Sequence, residues 1–396
     1  MRSILLQIAA VIRMDLKGSV RRVWSSLSII LSIALVVVVL LSLLAMANGF
    51  RLTVARSGSD DIAVMLRAGV LSELNSTVTL DQVRLIETAP GVARTAEGRP
   101  LVSAELYIVV NGIKKATGRT ANLPLRGIGP LGQELRKNVR MVEGRMMSPG
   151  SNEIVVGRAV QRQFRGFDLG DKITLGPSSW TVVGVFEAGG SVFDSEIWAD
   201  YAVIQSLFRR INSFQTIRVR LQSPAALDPL VAYVAADPRL ALDVKSEAAY
   251  FSDQALRTSD LIQKLGWPLA LIMGFGALAG ALNTMYSSVA ARMTQIATLR
   301  AIGFGGFASF VGTLVEALIL AACGGLIGAA ATLLLFDGLT TSTLSGNMTQ
   351  IEFSFRLTPA LIVQAILLAL SVGLIGGLFP ALRAARAPIA TALHAH

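Results

Sequence analysis

One cysteine, Cys323, leaves no partner for an intramolecular disulfide, so any large folded region must be held by its own core. The two histidines, His394 and His396, sit at the extreme tail. With no other histidine or cysteine to complete a ligand set, no metal site is assigned. No organised histidine and no paired-carboxylate motif marks a reaction centre, and the chain is expected to be non-enzymatic, with no catalytic residue. The Gly-x-x-x-x-Gly-Lys-Ser/Thr loop that cradles ATP phosphates is absent. Gly274-Phe275-Gly276 opens a dinucleotide fingerprint only superficially, because no strand precedes it. Charge is scarce too: at 16% charged residues and mean hydropathy +0.58, the chain is too apolar for a soluble protein and too mixed to be membrane throughout.

What is present in quantity is long apolar runs. A hydrocarbon core of about 30 Å needs roughly 20 apolar residues as helix, and windows near 27–47, 267–289, 309–336 and 359–380 qualify. Spans are expected at 24–48, 265–289, 309–336 and 359–381. Arg2, Arg13, Lys17, Arg21 and Arg22 precede the first span, Arg292 and Arg300 lie between the second and third, and Arg383 and Arg386 follow the fourth. These nine cations face one acid, Asp15, and hold eight of the ten net positive charges. The excess of basic residues beside the spans predicts that both termini and the 290–308 segment are cytoplasmic and that 49–264 lies outside. The high pI therefore reports topology, and no nucleic-acid partner is expected, since the outer segment lacks a basic surface interleaved with aromatics. Ala45-Met46-Ala47 has the small residues of a signal-peptide cleavage site, but the apolar run before it is too long, and a retained anchor is the better reading.

Residues 2–17 place Ile4, Leu5, Ile8, Val11, Ile12 and Leu16 on one helical arc, as in a helix lying in the membrane interface within 1–23. Asp15 falls inside that arc, and a frayed terminus is the alternative. Within 49–264 the pattern is mixed α/β. Strands are predicted at 62–66, 101–110, 153–156, 172–175, 180–187, 216–221 and 242–245. Helices are predicted at 80–88, 158–164, 199–208, 225–235 and 246–263, the last continuing as a stalk toward the second span with Gly266 and Pro268 at the join. Breaks near 127–132 and Asn212 suggest two subdomains, the inner about 133–211. Residues 337–358 are expected to form a short outer loop, and 382–396 a cytoplasmic tail.

Small residues recur at fourfold spacing as Gly276 and Gly280, Gly324 and Gly328, and Gly373 and Gly377, which predicts close helix packing. Glu316 is the one acid well inside a span, either a functional group or a structural one bonded to Asn283 or Thr284. Between the second and third spans, Arg292, Gln295, Ile296, Leu299 and Arg300 lie on a short helix stopped by Gly303. Its apolar residues suit a docking surface for a cytoplasmic partner or, less specifically, the membrane interface. In the outer segment the loop 186–198, with Gly189, Gly190 and an exposed Phe193, is a candidate for cargo or partner contact; its alternative is an ordinary hairpin end.

Several ordered motifs resemble the permeases of MacB/FtsX-type ABC transporters, a group that includes LolC and LolE. They are QIATLRAIGF at 295–304, EALILAACGGLIGAA at 316–330 and GLFPALRAARAPIATAL at 377–393, together with NEIVVGRAVQRQF, LGDKITLG and WTVVGVFEAGGSVFDSEIWAD in the outer segment. The resemblance implies four spans with a MacB-type periplasmic α/β domain between the first two, in a bacterial inner membrane. It implies that 292–303 is a coupling helix docking on a separate cytoplasmic ATPase, which binds the ATP and Mg, and that two permease chains, identical or different, pair in the bilayer. No cofactor is implied in this chain. The motion would pass outward by mechanotransmission, for export or extraction of an amphiphilic cargo such as a lipid, lipoprotein, peptide or drug, with a periplasmic adaptor or acceptor protein as a further partner. Gln295 departs from the family, which usually carries Glu there. A transmembrane signalling protein that regulates a periplasmic enzyme without transport is the alternative, and a receptor without an ATPase a third.

Overall fold

The structure, a computed structural model, describes residues 2–21, 23–136, 138–344 and 349–386; His394 and His396 lie outside them. Helices α1 (Arg2–Arg21) and α2 (Val23–Ala55) open the chain. Next come β1 (Ile62–Arg67), β2 (Val78–Thr79), α3 (Leu80–Glu87), β3 (Val102–Ile113), β4 (Thr120–Ile128), β5 (Arg140–Gly144) and β6 (Glu153–Gly157). They are followed by α4 (Arg158–Gln163), β7 (Lys172–Leu175), β8 (Ser178–Glu187), β9 (Ile197–Asp200), α5 (Tyr201–Leu207), β10 (Ser213–Phe214), β11 (Thr216–Arg220), α6 (Leu227–Ala236) and β12 (Leu242–Ser246). The rest is α7 (Glu247–Ala291), α8 (Met293–Ala301), α9 (Gly306–Phe336), β13 (Thr340–Leu344), β14 (Gln350–Ser354) and α10 (Pro359–Ala385). Two compact units result: a helical one from the residues up to Asn48, Asp260–Leu339 and Phe355 onward, and a sheet one from Gly49–Ser259 with Thr340–Ser354.

In the helical unit, α2, α7, α9 and α10 are long and apolar enough to cross a membrane. Thr358 caps α10, its side chain accepting from the Leu361 amide, with Pro359 in the first turn. Glycine sets the packing: a Cβ on Gly324 or Gly328 would meet the backbone oxygens of Ile30 or Ala34 in α2, at 2.8 and 2.7 Å. One on Gly373 or Gly377 would lie 2.3 or 2.5 Å from the Cβ of Ala321 or Ala317 in α9. Gly276 and Gly280 behave differently, since among the described residues no atom beyond their own turns of α7 lies within 4 Å of where their Cβ would be. Helix α7 runs unbroken through Pro268 for 45 residues, about 68 Å of axial rise. Pro268 thus interrupts nothing, as is tolerated in apolar helices whose freed carbonyl finds another partner.

The sheet unit is built on one ten-stranded mixed sheet in the order β12-β1-β11-β3-β4-β9-β6-β8-β5, with β7 paired to β8. The β4–β9 and β6–β8 pairs are parallel and the rest antiparallel. A capping box between Thr79 and Gln82 starts α3, and Asp200 caps α5. The alternate inward residues of β6, β8 and β9, including Ile154, Val156, Trp180, Val182 and Ile197, join one apolar core with Leu106 and Leu125.

The 337–358 stretch, expected to be a short outer loop, contains the β13–β14 pair, which belongs to the sheet unit. Lys114 Nζ donates to Ser342 Oγ and Gln350 Oε1 at 2.8 and 3.0 Å. The Glu352 amide donates to Ser195 Oγ at 3.0 Å, Arg162 pairs with the Glu352 carboxylate at 2.8 Å, and the Tyr107 and Thr349 hydroxyls lie 2.9 Å apart. Phe353 meets Phe50 edge to face.

Candidate functional site

Helix α8 is nine residues long, with one side buried at Ile296 and Ala297. Arg292 is its N-terminal cap residue, and the Arg292 carbonyl accepts from the Ile296 amide at 3.0 Å. At the other end Gly303, at φ 104°, supplies the left-handed turn, and the Gly303 and Phe304 amides close on the Arg300 and Leu299 carbonyls. Ile296 and Ala297 are buried, Ile296 against Val289 and Ala384 with Met293 beside it. Thr294, Gln295, Thr298, Ile302 and Gly303 are exposed, and Leu299 and Arg300 half-buried. Of the residues expected to form one docking face, Gln295, Leu299, Arg300 and Gly303 reach the surface. Ile296 does not, because it is the residue that fixes α8 to the ends of α7 and α10.

Arg292 also points inward, only 5% exposed. Its guanidinium lies between two carboxylates, 2.7 Å from Asp15 of α1 and 2.5 Å from Glu316 of α9. Of the two readings of Glu316, functional or structural, this corrects the partner named for the second: Arg292 takes the place of Asn283 or Thr284, whose hydroxyl donates to the Gly280 carbonyl. A buried carboxylate is compensated far better by a guanidinium than by a neutral side chain. It also explains why Asp15 interrupts the apolar arc of α1, since Asp15 and Val11, one turn apart, are both buried against protein. A Cβ on Gly312 would meet Val11 Cγ1 and Asp15 Oδ2 at 2.6 and 2.7 Å, so the glycine lets α1 come close enough for the pair.

In the sheet unit a second buried charge cluster joins elements far apart in sequence. Arg126 reaches Glu73, Glu105 and Glu196 at 2.8, 3.0 and 2.7 Å. Arg218 reaches Glu73 and Glu105 at 2.7 and 3.1 Å and also bonds Glu247. Arg136 holds Glu105 at 2.7 Å. Burial by itself would push Glu105 up, but the guanidiniums of Arg136, Arg218 and Arg126 pull it down to about 2. For Glu247 burial wins, and its carboxyl is pushed up despite Arg218 and Arg136.

The loop 186–198 borders this cluster. Phe193, expected to be exposed, is 5% exposed: it packs edge-on against Trp198 and Phe251, and the Arg136 guanidinium lies 4.9 Å from its ring centre. Gly189 and Gly190 form the exposed tip, both with positive φ and open space around them. Asp194 accepts from the Ala188 and Gly190 amides at 2.6 and 2.7 Å and holds the tip in place. None of the clustered arginines and glutamates is marked by local spacing, and no sequence signal singles them out.

A polytopic helical protein carrying a large mixed-sheet domain is thus defined by the fold. Residues 25–237 match the family model described as MacB-like periplasmic core domain, and residues 268–389 match the FtsX-like permease C-terminal model. The chain belongs to the MacB/FtsX-type ABC transporter permeases. The macrolide export ATP-binding/permease protein MacB of Hahella chejuensis is 29% identical over 229 residues, 55% of this chain and 34% of that protein; the alignment thus spans about a third of the relative. Among solved structures, the periplasmic region of MacB from Actinobacillus actinomycetemcomitans is similar at TM-score 0.37 and 12% identity, covering 52% of this chain and 95% of that one. The extracellular domain of the noncanonic ABC-type transporter YknZ from Gram-positive bacteria is similar at TM-score 0.33 and 16% identity, covering 47% of this chain and 100% of that one.

Proposed function

We propose that this chain is the membrane-spanning subunit of an ABC transporter of the bacterial inner membrane, with its termini and α8 cytoplasmic and the sheet domain periplasmic. A cytoplasmic ABC ATPase, binding ATP and Mg, docks on the exposed residues of α8, and its closure is passed to the sheet domain by mechanotransmission. The observation that carries this reading is the two-faced character of α8. Gln295, Thr298 and Ile302 face outward, while Arg292 at its start is ion-paired to α1 and α9. A push on the outer face is therefore delivered to two further helices at once. The uncovered Gly276 and Gly280 face of α7 suits a second permease chain. The exposed Gly189-Gly190 tip is offered to an adaptor, acceptor or cargo. The cargo class is amphiphilic or hydrophobic, for export or extraction, and the macrolide export named for the relative falls within it.

Copurification in gentle detergent tests this, comparing the native chain with a double variant, Gln295→Arg and Ile302→Asp, which leaves Ile296 and Arg292 in place. The native chain is expected to carry an ABC ATPase that the variant loses at unchanged thermal stability. Absence of an ATPase from the native chain, or equal binding to the variant, would overturn the docking reading. If the ATPase binds but its turnover answers only to a periplasmic protein and to no amphiphile, the chain regulates a periplasmic enzyme rather than moving cargo.

A further inference from the structure

Next to the exposed Gly189-Gly190 tip the chain makes a short 3₁₀ turn, Val192–Ser195, whose residues are all buried. Three of them are each held by a different segment. The Val192 amide donates to Ser57 Oγ at 2.9 Å, and Ser57 in turn donates to the Thr53 carbonyl near the end of α2 at 3.0 Å. Phe193 meets Phe251, near the start of α7, edge to face with ring centres 5.9 Å apart. Ser195 Oγ accepts from the Glu352 amide of β14 at 3.0 Å. The remaining residue, Asp194, holds the tip through the Ala188 and Gly190 amides.

Those three segments have one thing in common. The chain passes between its two compact units at 48–49, 259–260, 339–340 and 354–355, and α2, α7 and β14 belong to three of these four passages. The end of α2 and the start of α7 are also seated on each other. The Ala248 amide donates to the Ser59 carbonyl at 3.3 Å, and a Cβ on Gly58 would overlap the backbone of Glu247 and Ala248. A cavity of about 100 Å³ opens where they meet the turn, its wall including Ser57, Ala188, Phe193 and Glu247. Protein interiors hold few such voids, and this one gives the turn room to shift without overlap. We propose that Val192–Ser195 is a latch. With all three segments seated, Asp194 keeps the Gly189-Gly190 tip in one conformation; displacement of any one of them unseats the turn and releases the tip. The proposal rests on the functional reading only for what the tip meets. The seating is a property of this chain alone, so it is tested without an ATPase.

Amide exchange of the detergent-purified full chain, read residue by residue by mass spectrometry with electron-transfer fragmentation, is the test. Asp194→Asn removes the carboxylate that holds the tip and sets the released rate at Ala188 and Gly190. Ser57→Ala and Ser195→Ala alter neither of those bonds, yet each is expected to speed exchange at both amides about three- to fivefold. Phe251→Leu, which keeps an apolar group against Phe193, should act in the same direction, while β7 and α6 exchange at native rates in all four variants. Acceleration confined to Val192 in Ser57→Ala and to Glu352 in Ser195→Ala would show separate local contacts and overturn the latch. Native tip exchange in Asp194→Asn would overturn it as well. If the tip is released as expected but no ATPase copurifies with the native chain, the latch stands and the α8 docking reading falls, so the two failures are distinguishable.

Discussion

Arg292 Nη2 and Glu316 Oε2 lie 2.5 Å apart across 24 positions of sequence, and Asp15 approaches the same guanidinium from a third helix. The group is one cation between two acids, so its members are not equivalent. Arg292→Gln leaves two carboxylates buried without the charge between them and is expected to cost about 3–5 kcal/mol of stability. Glu316→Gln leaves a matched Asp15–Arg292 pair and should cost less than about half of that. Thermal unfolding in detergent ranks the two, and equal losses would contradict the asymmetry.

The sheet domain should show an acid dependence set by Glu105. Its folded pKa of about 2 lies below the ordinary 4.5, so its stabilisation is full above about pH 4.5 and fades as pH falls through about 2. Glu105→Gln is therefore destabilising near neutrality, and its deficit should shrink steadily on acidification below about pH 4.5. Fluorescence of the buried Trp180 and Trp198 during denaturant unfolding at each pH reads the difference. A deficit unchanged down to about pH 2.5 would show that Glu105 is not the titrating group.

Glycine substitutions should separate packing within a chain from packing between chains. Gly373→Ala places a methyl 2.3 Å from the Ala321 Cβ and is expected to destabilise by about 1–3 kcal/mol. A methyl at Gly276 or Gly280 has no described neighbour within 4 Å beyond its own turn of helix, so Gly276→Ala and Gly280→Ala should leave monomer unfolding undiminished while reducing dimer crosslinking along α7. Loss of monomer stability in the α7 variants would place that face inside the chain after all.

The β13–β14 pair should be held by Lys114. Lys114→Met removes the bonds to Ser342 and Gln350, worth about 1 kcal/mol together with the lost charge assistance. Amide exchange in β13 and β14 is expected to accelerate about fivefold, read by mass spectrometry, with β6 and β8 unaffected.

Much of this architecture is written locally. Each of the four apolar windows falls inside an observed helix, and β1, β3, β6, β7, β8, β11 and β12 announce themselves through β-branched runs between turn residues. What escaped is what depends on distant partners. Strand β4 carries Pro124 and Gly127 and reads as a break, yet its register with β3 is continuous through both. Strand β9 is four residues long and merges by composition with α5. For α8, the charges and the Gly303 stop were legible, but not which residues face outward. Arg292 is buried because Asp15 and Glu316 arrive from elsewhere, and Phe193 because two arginines and Trp198 close over it.

The placement of β13 and β14 also sets a timetable for folding. All ten strands of the main sheet precede Ser259, while the last residues of that unit come only after 260–339 have been made. At ribosomal speed this interval is roughly 5–15 s. For that time the nascent domain presents Tyr107, Lys114 and Ser195 to its surroundings, and it acquires its clasp only once a third apolar helix has left the ribosome. A fragment ending at Ser259 would be permanently in that unfinished condition: a complete sheet with its fastening left off.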